Sequence, residues 1–159
     1  SLPVYFEEKN RNGDRVHKHR ITIDPSHLPI LCSPERYSDL HKIFPGVDLV
    51  DRFLYDSFRR SLKPRLLVDY VRRPYVSAYD MNFRVTFDSV LMSAKEDALF
   101  PAGWENWKQS FAGFTILEIK FYRRIPIWFH RIIQAHDLRR VSFSKFCKGM
   151  EATDQAVDL

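Results

Sequence analysis

The chain has 159 residues, 45% of them hydrophobic and 14% aromatic, and a net charge of +5. That length and apolar content suit one domain with a real core and exclude a disordered chain. No apolar run has the length of a membrane span, no stretch reads as a secretory leader, and two distant cysteines, Cys32 and Cys147, exclude a disulfide scaffold and lack metal-ligand spacing.

Residues 4–24 predict a β-hairpin, with Asn12-Gly13-Asp14 as the turn and Asp24-Pro25-Ser26 ending the second strand. Ser33-Pro34-Glu35 predicts the start of a helix running to about Phe44, with Ser33 as N-cap, and Gly46 breaks it. A second helix is predicted over Asp48–Leu62, where Val50, Phe53, Leu54, Phe58 and Leu62 recur at helical spacing. Residues 64–77 read as a strand, with Pro74 marking a bulge, an edge or an end. Residues 82–89 alternate cleanly, Phe83, Val85 and Phe87 against Arg84, Thr86 and Asp88. The stretch 94–113, with Trp104 and Trp107, has no clear period. Residues 114–124 read as another strand, with Leu117, Ile119 and Phe121 against Glu118 and Lys120. A helix with Pro126 at N1 follows, its apolar face holding Ile125, Trp128, Phe129, Ile132 and Ile133, and the tail after Glu151 reads as frayed. The six histidines show no metal spacing. About five mostly antiparallel strands with segregated helices make an α+β class.

The polar faces of these strands share a chemistry. They hold Glu7 and Lys9, Lys18 and Arg20, Arg72, Arg84 and Asp88, and Glu118 and Lys120, with bases outnumbering acids. A chain of linked phosphates needs several guanidinium and ammonium donors from different directions, and carboxylates among them suit a divalent metal bridging phosphate oxygens. No glycine-rich phosphate loop occurs. The pattern is equally that of salt-bridged solvent faces on half-buried strands.

The order of these segments resembles the VTC domain of vacuolar transporter chaperone polyphosphate polymerases and their bacterial relatives, within the triphosphate tunnel (CYTH-like) metalloenzymes. VYFEEK, VHKHRI, YVRRPY, NFRVTFD, ILEIKF and VSFSKFCKGM match that family's strands and its F-S-K-[FY] segment in order. The resemblance implies an antiparallel sheet forming part of a tunnel-type β-barrel with flanking helices. It implies metal-dependent transfer of phosphoryl groups from ATP, or another nucleoside triphosphate, to polyphosphate. Arg72, Arg84 and Lys145 would grip the reacting phosphates; Lys9, Lys18, Arg20, Lys120 and Ser144 would bind phosphate along the wall; Glu118 would hold Mn or Mg. The family's domain opens with further strands and helices that nothing here matches, so residues 1–151 read as its C-terminal part and 152–159 as a tail. Further expectations are a cytoplasmic location, membrane attachment through partner proteins, self-association through open sheet edges, and no nucleic-acid partner, since Phe83, Val85 and Phe87 lie opposite the arginine face. The alternative is a module that binds polyphosphate, inositol phosphates or nucleotides without reacting on them.

Overall fold

The structure is a computed structural model that describes residues 3–12, 15–96, 99, 103 and 105–155. The chain divides into two compact units, Ser1–Arg65 with Glu96–Pro101, and Leu66–Lys95 with Ala102–Leu159.

In the first unit β1 (Val4–Asn12) and β2 (Arg15–Ile23) pair antiparallel, with Glu7 opposite Arg20 and Lys9 opposite Lys18. The expected turn residues Gly13 and Asp14 lie outside the described residues. The period of two sends Phe6 and Ile21 to one face, where they join a core of Ile30, Leu40 and Val50. As expected, β2 ends just before Asp24, whose carboxylate accepts from the Ser26 N–H at 2.9 Å. A short α1 (Leu28–Leu31) follows.

The helix expected from Ser33 to Phe44 is broken. Pro34–Arg36 forms a 3-10 turn and α2 spans Asp39–Ile43. Ser33 makes no side-chain cap hydrogen bond, and the buried pair Tyr37 and Leu40 sits at the three-residue spacing of a 3-10 turn. Gly46, at φ 72, separates α2 from α3 (Asp48–Arg60). Helix α3 buries Leu49, Val50 and Ser57, and its Phe53 ring meets Phe6 edge-on at 5.0 Å. Asp48 and Asp51 in its first turn and Arg59 and Arg60 in its last complement the helix dipole. The apolar stripe ends sooner than its spacing predicts, because Phe58 is 79% exposed.

In the second unit β4 (Arg84–Ala94) is central. It pairs on one edge with β3 (Leu67–Val76), and on the other with β6 (Ile116–Lys120) and with the two-residue β5 (Lys108–Gln109), all antiparallel. The sequence shows no strand at β5, because two residues carry no period. Pro74 lies in β3, an edge strand, where its missing N–H costs the ladder nothing. The β3–β4 connection is held by Ser77, whose Oγ accepts from the Tyr79 and Asp80 N–H groups. Among the described residues neither sheet closes into a barrel. The fold is α+β, with antiparallel sheets and flanking helices.

Two helices cover the two faces of this sheet. Phe129 of α4 (Ile127–Ala135) packs on Phe83 and Val85, with Leu117 and Ile119 beside them. Pro126 is the N-cap of α4 and not its first residue. Phe87, expected in the same packed set, is 39% exposed and meets Tyr75 edge-on. On the other face lies α5 (Lys145–Ala152). Its seat depends on a bulge. Asp69 pairs with Met92 but Val71 with Ser89, so β4 carries one extra residue opposite Tyr70, and Val90 there takes φ 53. The extra residue re-phases the strand. Asp88 and Ser93 therefore share a face, opposite Arg72 and Val68 respectively.

The backbone of α5 comes down on that face at Gly149. A Cβ there would sit 2.6 Å from Ser93 Oγ and 2.7 Å from Leu66 Cδ2. Gly→Ala inside an exposed helix gains about 1 kcal/mol, but overpacking costs about 1–3 kcal/mol. Gly149→Ala is therefore expected to lower the urea midpoint, and Ser93→Gly in the same chain to restore part of the loss. A raised midpoint would show that α5 is not seated here.

Candidate functional site

The alternation in β3, β4 and β6 puts Arg72, Arg84, Thr86, Asp88, Glu118 and Lys120 on one face, because the strands pair Arg72 with Asp88, Thr86 with Glu118 and Arg84 with Lys120. Helix α5 brings Lys145 to the same place. Ser144 caps the helix by accepting from the Cys147 N–H at 3.2 Å, which aligns the first turn so that Lys145 reaches the sheet.

Asp88 is the centre. Its side chain is 0% exposed. Arg72 donates to both of its oxygens, Nε to Oδ1 and Nη2 to Oδ2, each at 2.7 Å. Lys145 Nζ lies 2.7 Å from Oδ2. Arg72 Nη2 also reaches Glu118 Oε2 at 3.1 Å, and Lys120 Nζ holds Glu118 Oε1 at 3.0 Å. The half-buried Tyr70 ring lies under both cations, 5.2 Å from the Arg72 guanidinium and 4.8 Å from Lys145 Nζ. Three cations thus meet two carboxylates. Thr86 is buried beside Glu118, its hydroxyl without a hydrogen-bond partner among the described residues.

The pKa shifts follow from this geometry. Burial pushes the Asp88 carboxyl up, but hydrogen bonds from Arg72 and Lys145 outweigh it and hold the group below the usual carboxylate range. Burial acts on Glu118 in the same way and is outweighed by Lys120, then by Arg72 and Lys145. The hydrogen bond to Asp88 raises Arg72 further above its already high value. Both carboxylates are ionised at neutral pH.

The residues singled out in the sequence fall in two places. Arg72, Glu118, Lys120 and Lys145 form the network just described, and Ser144 supports it as a cap. Arg84 is exposed on the same face and makes no ion pair with a described residue. Lys9, Lys18 and Arg20 share a face of the first unit's hairpin. There Lys18 pairs with Glu7 at 2.7 Å and Arg20 lies 4.6 Å from the Tyr5 ring centroid. The sequence places Asp88 on the polar face without showing that it is the buried hub. Tyr70 carries no signal of its own, since an aromatic beside Arg72 reads as ordinary strand composition.

Among the described residues no three His, Cys, Asp or Glu side chains come together to hold a metal ion. Asp88 is saturated by Arg72 and Lys145, which leaves Glu118 as one carboxylate. Mg-type ions are commonly held by one or two carboxylates together with phosphate oxygens. The residues therefore fit such an ion when a phosphate chain supplies the remaining ligands.

A family model described as VTC domain matches residues 1–153. No curated protein matches the chain.

The two lowered carboxyls make stability acid-sensitive. A carboxyl whose folded pKa is depressed contributes stability that is complete above its unfolded value, near pH 4, and that is lost as pH falls through the folded value. Wild-type stability is thus expected to be flat at neutral pH and to fall below about pH 4. Asp88→Asn removes one of these groups and leaves Arg72 and Lys145 without their carboxylate. Hydrogen bonds to charged groups contribute about 1.5–3 kcal/mol, so the variant is expected to lose an amount of this order at pH 7 and to show a shallower acid limb in urea melts. Equal stabilities of the variant and the wild type at pH 7 would contradict the hub assignment.

Proposed function

The chain belongs to the VTC domain family, and from that membership we propose that the Arg72–Arg84–Glu118–Lys120–Lys145 face binds a chain of linked phosphates and supports phosphoryl transfer from a nucleoside triphosphate to polyphosphate. The four-stranded sheet would then be part of a tunnel-type barrel wall. The observation that carries this reading is the gathering of three cations around two carboxylates on a face that also holds Arg84, which has no ion-pair partner among the described residues.

Each residue has a task derivable from its position. Asp88 fixes Arg72 and Lys145 in place, so their remaining N–H groups need no reorganisation when phosphate arrives. Arg84, without an acid to leave, offers its fork directly to non-bridging oxygens. Lys120 and Arg72 are held by Glu118 until an anion competes for them. Glu118, once released, would hold a divalent Mn or Mg ion, which would help to offset the charge of the phosphates. In transfer, an oxygen at the end of the growing chain bonds to the γ-phosphorus while the bond to the β-phosphate oxygen breaks. Positioning and charge stabilisation supply most of the effect, because such reactions need little covalent help from protein. In the first unit, Lys9, Lys18 and Arg20 form a basic strip suited to further phosphates.

A second reading is a module that binds such anions without reaction. It draws support from both carboxylates being engaged by cations.

Calorimetry with tripolyphosphate tests both readings. Arg84→Ala is expected to weaken binding by roughly tenfold or more, as loss of a charge-assisted hydrogen bond implies, with no change in thermal stability. Unchanged affinity would remove this face from the proposal. Glu118→Gln is expected to tighten metal-free binding, since it frees Lys120 and Arg72, and to abolish metal-dependent nucleotide turnover. Turnover that survived the substitution would rule out a metal role for Glu118. Tight binding with no turnover in the unsubstituted protein favours the second reading.

A further inference from the structure

A separate surface lies on the opposite side of the second unit's sheet. Phe129 and Ile133 of α4 face the core. Ile127, Trp128, Arg131 and Ile132 fall on the outward stripe at helical spacing, and the three apolar ones are 75%, 56% and 42% exposed. Tyr122, just before the helix, is 75% exposed. The surrounding charge is one-sided. Residues 121–141 hold Arg123, Arg124, Arg131, Arg139 and Arg140 against one acid, Asp137, so this short stretch carries four of the chain's net five positive charges. Its arginines sit before the helix, on its outer stripe and after its end.

We propose that α4 and its flanking arginines form a docking surface for an anionic lipid bilayer. The chemistry matches a helix lying in the interface plane: an apolar stripe containing tryptophan, a neighbouring tyrosine, and basic side chains whose stems lie along the apolar surface while their heads reach phosphates. A helix of nine residues is far too short to cross a bilayer, and no helix among the described residues is long and apolar enough to do so. An acidic protein partner fits less well. Arginines at both ends of one exposed helix suit a broad negative plane better than a single acidic segment.

Co-sedimentation of the full chain with phosphatidylcholine vesicles, with and without phosphatidylserine, provides the test. Binding is expected with phosphatidylserine and is expected to weaken as salt is raised. Arg123→Gln with Arg124→Gln is expected to weaken it about 30-fold. Ile127→Asp is expected to abolish it; that side chain is outside the packed core, so the fold stays intact. Trp128→Ser serves as a second variant, checked by circular dichroism because Trp128 also touches Phe83. Arg84→Ala should leave the Ile127-dependent binding in place, which separates this surface from the phosphate-binding face. No binding to phosphatidylserine vesicles, or binding indifferent to Ile127→Asp, would overturn the proposal. So would a dimer in sedimentation that Ile127→Asp dissolves, since a second copy would then cover the stripe.

Discussion

A carboxylate with no access to water stays ionised only if cations come to it, and that requirement organises the second unit. Asp88 lies in the middle of β4, wholly buried. Arg72 comes to it from β3 in a two-pronged grip, and Lys145 comes from a helix that begins 57 residues later in the chain. Each contact joins elements that sequence keeps apart, so the ion cluster is also the joint between the sheet and α5. Burying charge in this way is costly, and a well-packed apolar cluster of the same volume would be as stable or more so. What the ionic version provides is two cationic heads fixed in position beside an open face.

That face is poised between internal and external partners. Glu118 occupies Arg72 and Lys120 in the way a phosphate oxygen pair would, through two oxygens and at hydrogen-bond distance. Arg84 has no such internal partner among the described residues. On the proposed reading an anion would meet a graded surface: one cation ready, two held by an exchangeable acid at the surface, and one more cation, Lys145, locked with Arg72 onto an acid that cannot leave. Carboxylates on such a face need not be metal ligands to matter. They keep like charges from repelling one another before the anion arrives.

Much of this was legible in the sequence where a period was present. The strict alternation of 83–88 and 117–120 gives the face of Arg84, Asp88, Glu118 and Lys120 correctly, since each strand keeps its phase over that span. The hairpin of 4–23 and the helix from Asp48 follow from their periods in the same way. What failed depended on tertiary context. Phe87 and Phe58 continue their apolar patterns but stand where no element covers them. The helix expected from Ser33 gave way to two short pieces because its cap never formed. β5 is too short to carry a pattern. Asp88 looked like any acid on a wet strand, because its burial is imposed by α5 from far along the chain.

Val90 has an effect out of proportion to its size. As a branched residue in left-handed backbone it holds strain of order 1–3 kcal/mol, and it sits at the one point where β4 slips out of step with β3. Upstream of that point, even-numbered side chains look toward α5; downstream, odd-numbered ones do. Were the surplus residue paired in step instead of bulged, Ser93 would turn to the far side and the bulkier Met92 would take its place opposite Val68, under the glycine of the covering helix. The helix would ride higher, and its lysine would lose its reach. A single surplus residue acts as the spacer that lets one strand present an acid at one end and a small, close-fitting floor at the other.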